Sequence, residues 1–297
     1  MIETTALHPY FGLEVFDLDL TEVVNDGQIL RLAQIRQMFE THSLLLFRRQ
    51  NLDDAAHLRL AQWFGPIENR DKGAWNTTPK QAGILSNVDE KLGLLEESHH
   101  HVKNLKSNQL WHTDSTFLPV PALANILTAR VLPSTGGETQ FVSTRQDWSL
   151  LSESQKKALR NTFFWHRYSH SRGKIDKELA TQEKFQMWED QCWRAVWKNP
   201  VNQQEAIYLA SHIFKVEGMP QDEGCQWVDE LTDLATQSAH IYTHKWRVGD
   251  VLIWDERATM HRGCPWPYDE QRTLASLCVS ASESDGLARI FHEGGPV

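Results

Sequence analysis

Residues 28–40 place Ile29, Leu32, Ala33, Ile35 and Phe39 at mostly helical spacing, and the apolar run at 43–47 that follows reads as a buried strand. A second helix is predicted over 53–64, opened by Asp53 as N-cap and closed by Gly65-Pro66. Beyond it, short apolar or alternating segments at 124–131, 139–142, 207–210, 241–246, 251–254 and 272–279 predict strands. Helices are predicted at 144–161 and 222–237, and Gly249-Asp250 makes a turn. The pattern is mainly β with flanking helices (α+β), a helical N-terminal part covering a β core. Two stretches, about 72–106 and about 167–200, lack a clear period and are expected to be lid-like insertions framing a site. The first contains His99-His100-His101, but consecutive residues do not easily face one ion, and a solvated loop is the expectation there.

The 297 residues would suggest two domains by size alone, yet barrel-like architectures run this long as one unit, so a single domain over 1–297 is expected. Twelve Trp point to an aromatic-rich interior. A net charge of −9 without a long basic run argues against a nucleic-acid partner, because phosphate binding needs clustered Lys and Arg. No apolar stretch approaches the roughly 20 residues of a membrane span, and Met1-Ile2-Glu3 opens no leader-like segment, so a cytoplasmic location is expected. The four Cys form no Cys-x-x-Cys and are expected to be reduced thiols. A homo-oligomer is compatible with this chain.

Candidate chemistry concentrates in Trp111-His112-Thr113-Asp114-Ser115-Thr116-Phe117 and in Trp254-Asp255-Glu256-Arg257 with His261-Arg262. In an extended segment residues i and i+2 point the same way, so His112 and Asp114 offer an imidazole and a carboxylate to one point. Joined by His261 from a distant strand, they make the two-His, one-carboxylate face that leaves positions open on a non-haem Fe(II). The tripeptide alone also describes a hydrogen-bonded pair in a loop. Two other segments add what a site using 2-oxoglutarate needs: Arg272, whose fork suits a carboxylate, and Thr139, a hydroxyl donor on the strand entered through Gly136-Gly137. A surface salt bridge is the plainer role for Arg272.

Read together, Leu7-His8-Pro9, Leu44-Leu45-Leu46-Phe47-Arg48, Phe64-Gly65-Pro66, Asn108-Gln109-Leu110-Trp111-His112-Thr113-Asp114, Thr135-Gly136-Gly137-Glu138-Thr139 and Trp254-Asp255 to His261-Arg262 resemble the Fe(II)/2-oxoglutarate dioxygenases of the taurine and 2,4-dichlorophenoxyacetate dioxygenase (TauD/TfdA) family. The aryloxyalkanoate branch looks closest, from the N-terminal pattern and Val216-Glu217-Gly218. The resemblance implies a double-stranded β-helix (jelly-roll, cupin-like) core. It assigns iron to His112, Asp114 and His261, the 2-oxoglutarate carboxylate to Arg272 with Thr139, and O2 as oxidant. Family members that grip an acidic substrate carry a second Arg where this chain has Ser276. An anionic substrate would need another partner, with Lys72, Lys103, Lys106 and Arg172 as candidates.

Phe117, Phe141, Ile213 and Trp266 suggest a small, largely apolar organic substrate, with core packing as the alternative for each. His212 and Asn108 stand where polar substrate contacts occur in relatives. Hydroxylation, with ether cleavage where the carbon bears an ether oxygen, is the expected outcome, releasing succinate and CO2; desaturation or ring closure share the same site. Asp114 argues against halogenation, since it fills the position chloride would need. A Zn-dependent hydrolase would use the same ligands but leave Arg272 and Thr139 idle, and a non-catalytic small-molecule-binding protein would tolerate loss of Asp114.

Overall fold

The computed structural model describes residues 2–69, 82–287 and 290–291. Lys72 and the first part of the predicted lid lie outside the described residues. A seven-stranded sheet runs in the order Thr4–Ala6, Leu13–Val15, Leu44–Phe47, Val251–Asp255, Ala122–Val131, Thr273–Ser280, Gly83–Ser86. Side chains alternate across a strand, and here both faces of the central strands are buried against different layers. Leu45, Phe47, Ile126, Ile253, Ala275, Leu277 and Val279 pack with Leu32, Ile35 and Phe39 of the helix Ile29–His42 and with Leu60 and Phe64 of the helix Asp54–Phe64. Leu44, Leu46, Leu127, Leu252, Trp254 and Leu274 face the other way and share a core with Phe141. That residue belongs to a second sheet, ordered Tyr242–His244, Thr139–Ser143, Thr259–Gly263. Sequence runs that are apolar throughout, such as 44–47, are what a strand buried on both faces requires.

Asp53 caps the second helix as expected, its carboxylate accepting from the Ala56 amide at 2.7 Å. The helix predicted over 144–161 is two helices, Thr144–Leu150 and Glu153–Arg160. Ser152 and Gln155 form a capping box between them, in which each side chain satisfies the other's backbone amide, so the second helix starts afresh. The strand predicted at 207–210 is instead Glu205–Ile207. The stretch 167–200 holds short helices and the strands Gln191–Arg194 and Val196–Lys198, with Trp193 and Trp197 buried in the core. His99 caps the helix His100–Lys106 and the His101 ring reaches the Ser86 carbonyl at 2.9 Å, so these histidines organise that segment. Among the described residues no helix is long and apolar enough to cross a membrane.

Candidate active site

The strand Thr259–Gly263 and the segment at His112 are joined by a pair of backbone bonds: the His112 amide donates to the His261 carbonyl at 3.0 Å, and the His261 amide donates back at 2.8 Å. Two residues far apart in sequence therefore stand side by side. Between His112 and Asp114, Thr113 points the opposite way, its hydroxyl shared by the carbonyls of Leu209 and Thr259 at 2.8 and 3.1 Å. The extended reading ends there, because Asp114 opens a turn that Ser115 completes with φ of 58°. The Asp114 amide is fixed by the buried Glu256, donating to its Oε2 at 3.0 Å. Burial, followed by the neighbouring Asp114 charge, pushes the Glu256 carboxyl well above its usual range.

Donor atoms of His112, Asp114 and His261 all lie within 4.8 Å of one another. The His112 Nδ1–H donates to the Leu110 carbonyl at 2.7 Å, which presents Nε2 toward Asp114 Oδ1, 3.6 Å away. His261 Nε2 lies 3.8 Å from Asp114 Oδ2. Burial, and then His112, push the His261 pKa down to about 3 against the pull of Asp114, so its imidazole is neutral at ordinary pH and keeps its lone pair. Two imidazoles and one carboxylate, converging from one side, fit a divalent first-row metal such as Fe(II). Phe141 is the cross-strand partner of His261 and its ring lies over the imidazole, centroids 5.9 Å apart; Trp254 closes from another side at 4.7 Å. Phe141 thus props the ligand from the inter-sheet core.

These residues open on a cavity of about 260 Å³ that Thr139 and Arg272 also line. Gly136 and Gly137 have φ of 73° and 72°, and a Cβ on Gly137 would come within 2.9 Å of the Arg272 Nε. Only glycine suits both the backbone and the gap. The Gly137 carbonyl accepts from Arg272 Nε and Nη2 at 3.1 and 2.9 Å, leaving Nη1 without a partner among the described residues. Burial pulls the Arg272 pKa down to about 10, which still leaves it charged at neutral pH. Thr139 Oγ1 accepts from Trp246 Nε1 at 2.9 Å, so its own proton is available to the cavity. Trp266 lies beneath the guanidinium of Arg272, 5.0 Å from its ring centre, and is not on the cavity wall.

Of the other candidate substrate contacts, Asn108 and Ser276 line the cavity, whereas Phe117, Phe141, His212 and Ile213 do not. Phe117 stacks on Tyr168 at 3.7 Å, and Ile213 belongs to the core cluster with Val142 and Leu209. Ser276 has a partner the sequence did not reveal: its hydroxyl donates to Asn125 Oδ1 at 2.8 Å, and Asn125 Nδ2 donates to Asp114 Oδ2 at 2.7 Å. The signal was a lone amide inside the apolar run 123–132. Replacing Asn125 with Ala should weaken Fe(II) binding by about 10- to 100-fold, the cost typical of removing support behind a ligand, read by equilibrium dialysis; unchanged affinity would refute this role.

Residues 3–278 match the family model described as taurine catabolism dioxygenase TauD, TfdA family. The alpha-ketoglutarate-dependent 2,4-dichlorophenoxyacetate dioxygenase of Cupriavidus pinatubonensis is 29% identical, with 92% of this chain and 96% of that protein covered. The (S)-phenoxypropionate/alpha-ketoglutarate-dioxygenase of Sphingobium herbicidovorans is 26% identical, with 92% of each covered. The crystal structure of AAD-2 in complex with Mn(II) and N-oxalylglycine superposes with a TM-score of 0.85 at 29% identity, over 96% of this chain and 99% of that one. A match that runs through both halves of the ligand set, from the first strand to the one carrying Ser276, leaves a single conclusion about ancestry: this chain belongs to the TauD, TfdA family of dioxygenases.

Proposed function

We propose that this chain is an Fe(II)- and 2-oxoglutarate-dependent dioxygenase that hydroxylates a small aryloxyalkanoate-like molecule at the carbon next to its ether oxygen. The observation that carries the reading is that His112, Asp114 and His261 face the same cavity as Arg272 and Thr139. The two sheets then form the halves of a double-stranded β-helix, or jelly roll, within one domain. His112, Asp114 and His261 hold the iron, and Arg272 with Thr139 takes the far carboxylate of 2-oxoglutarate. When bound, iron and 2-oxoglutarate supply the oxidising chemistry, with O2 consumed and succinate and CO2 released.

The chain's own part is to bind, orient and keep water out. Asn125 fixes the Asp114 carboxylate through Oδ2, and the Leu110 carbonyl fixes the His112 tautomer. Phe141 and Trp254 shield His261. One oxygen atom of O2 enters the C–H bond, and the resulting hemiacetal loses its phenol while the carbon becomes the carbonyl of an oxo-acid. The test is oxidation of phenoxyacetate under air: phenol and succinate should appear together, both requiring Fe(II), 2-oxoglutarate and O2. Turnover without O2, driven by Zn(II), would instead mean a hydrolase.

Arg272→Gln should raise the KM for 2-oxoglutarate about 30-fold or more, since truncating one partner of a buried, hydrogen-bonded charge pair costs about 2 kcal/mol or more. Steady-state succinate formation against 2-oxoglutarate concentration checks this, and an unaltered KM would remove Arg272 from the co-substrate site.

A further inference from the structure

The strand Gly83–Ser86 pairs antiparallel with Thr273–Ser280, Ser86 standing opposite Thr273. Carried one step further, that register would set Asn87 opposite Arg272. The backbone ladder stops there and the Asn87 side chain continues it: Oδ1 accepts from the Arg272 amide at 2.9 Å, while Nδ2 donates to the carbonyls of Tyr268 and Glu270 at 3.1 and 2.8 Å. We propose that Asn87 is a positioning residue for Arg272, fixing the backbone from which that guanidinium lines the cavity and so setting the site's preference for a keto acid that carries a second, far carboxylate.

Asn87 is fully buried and does not line the cavity itself, so it acts through what it holds. Both amide protons are used, and the oxygen takes a third bond. Only one orientation of the amide works. Turned over, it would set its NH2 against the Arg272 N–H and its oxygen against two carbonyl oxygens. An apolar side chain of the same size would remove the partner of three backbone groups at once, each costly to leave unpaired when buried.

Arg272 is thereby held at both ends. Its head is fixed by the Gly137 carbonyl and lies over Trp266, and its base is fixed by Asn87. Residues 264–272, which join the strand carrying His261 to the strand that starts at Thr273, form no helix or strand, so their course depends on side chains. The Glu270 carboxylate accepts from Ser134 Oγ at 2.7 Å, and Tyr268 Oη accepts from Gln109 Nε2 at 2.6 Å. Of these anchors, Asn87 is the one that also bonds Arg272. A long side chain held only by its head shifts its fork when its base moves, and looseness of about 1 Å in a supporting group is enough to weaken a site. The proposal rests on the function given above, in which Arg272 takes the far carboxylate of 2-oxoglutarate.

Calorimetric titration of the Mn(II)-loaded protein with 2-oxoglutarate and with 2-oxopentanoate tests it. The second compound has the same keto-acid end and chain length but a methyl group in place of the far carboxylate. The wild type should prefer 2-oxoglutarate by about 30-fold or more, and Arg272→Gln should erase that preference. Asn87→Ala should cut the preference by about tenfold, with Mn(II) uptake and affinity for 2-oxopentanoate staying within about twofold of the wild type. A general loss of structure would lower both keto acids alike. If Arg272→Gln erases the preference and Asn87→Ala keeps it, this proposal alone is overturned. An Asn87→Ala chain that loses Mn(II), or loses both keto acids together, overturns it too, because the side chain would then support the fold at large and not Arg272. A wild type without the preference, or an Arg272→Gln chain that retains it, overturns the part given to Arg272 in the proposed function.

Discussion

Asp114→Ala should form succinate more than 100-fold slower than the wild type while melting within a few degrees of it. The comparison is set by the 10- to 100-fold typical of losing a residue that merely supports a ligand; losing the carboxylate itself should exceed that. The Asp114 amide donates to Glu256, a backbone bond that does not itself require the carboxylate. Removing the carboxylate leaves Asn125 Nδ2 without its acceptor, a cost of about 1–3 kcal/mol if no water replaces it. Asp114→Asn separates the two effects, since it keeps the shape and one acceptor oxygen but lacks the charge. If added Fe(II) raises the melting midpoint of the wild type but of neither variant, the loss is one of metal binding. An Asp114→Ala chain with more than a tenth of wild-type activity would contradict the role given to this residue.

Arg257→Met should cost about 3–5 kcal/mol of stability, the range for leaving a buried charge without its partner. Arg257 is 1% exposed and donates to Asp255 Oδ1 through Nε at 2.8 Å and to Glu40 Oε2 through Nη2 at 2.6 Å. It thereby ties the helix Ile29–His42 to the turn between the strands Val251–Asp255 and Thr259–Gly263, the second of which carries His261. Burial pushes the Glu40 carboxyl up, but Arg257 and Arg36 outweigh it and hold the group below its ordinary value. A depressed carboxyl contributes stability above its unfolded pKa, near 4.5, and that contribution is lost as pH falls through the folded value. The gap between wild type and variant should therefore be widest near neutrality and should close as pH drops below about 4.5. Chemical denaturation across pH 3.5–8 reads it; a gap that stays constant across that range would show that Arg257 acts through packing alone.

The cluster of His112, Asp114 and His261 was legible because its chemistry is local. His112 and Asp114 lie in one short segment, and the turn at Ser115 alters the backbone without moving the two donors apart. The strands around them were legible as apolar runs, but period-2 geometry does not say which face meets which layer. Phe141 is the instructive case. Its closeness to a ligand is real, yet the register that makes it the cross-strand neighbour of His261 also points it into the inter-sheet core. Trp266 was likewise placed by sequence near the site, where it underlies Arg272 and does not reach the cavity. Support from outside the motifs was hidden for another reason. Asn125 and Ser276 reach Asp114 through pairing of the strands Ala122–Val131 and Thr273–Ser280, a contact that no spacing within either strand encodes. Arg172 could be named as basic but not placed, because its helix sits in a stretch with no apolar period.

In the proposed site, three side chains hold one ferrous ion that 2-oxoglutarate then joins. Anaerobic equilibrium dialysis of the metal-free protein against Fe(II), with and without 2-oxoglutarate, measures this directly. One ion per chain is predicted in the wild type, bound more tightly when 2-oxoglutarate is present and lost in Asp114→Ala and His261→Ala. Fe(II) retained equally by those variants, or 2-oxoglutarate binding indifferent to the metal, would contradict it.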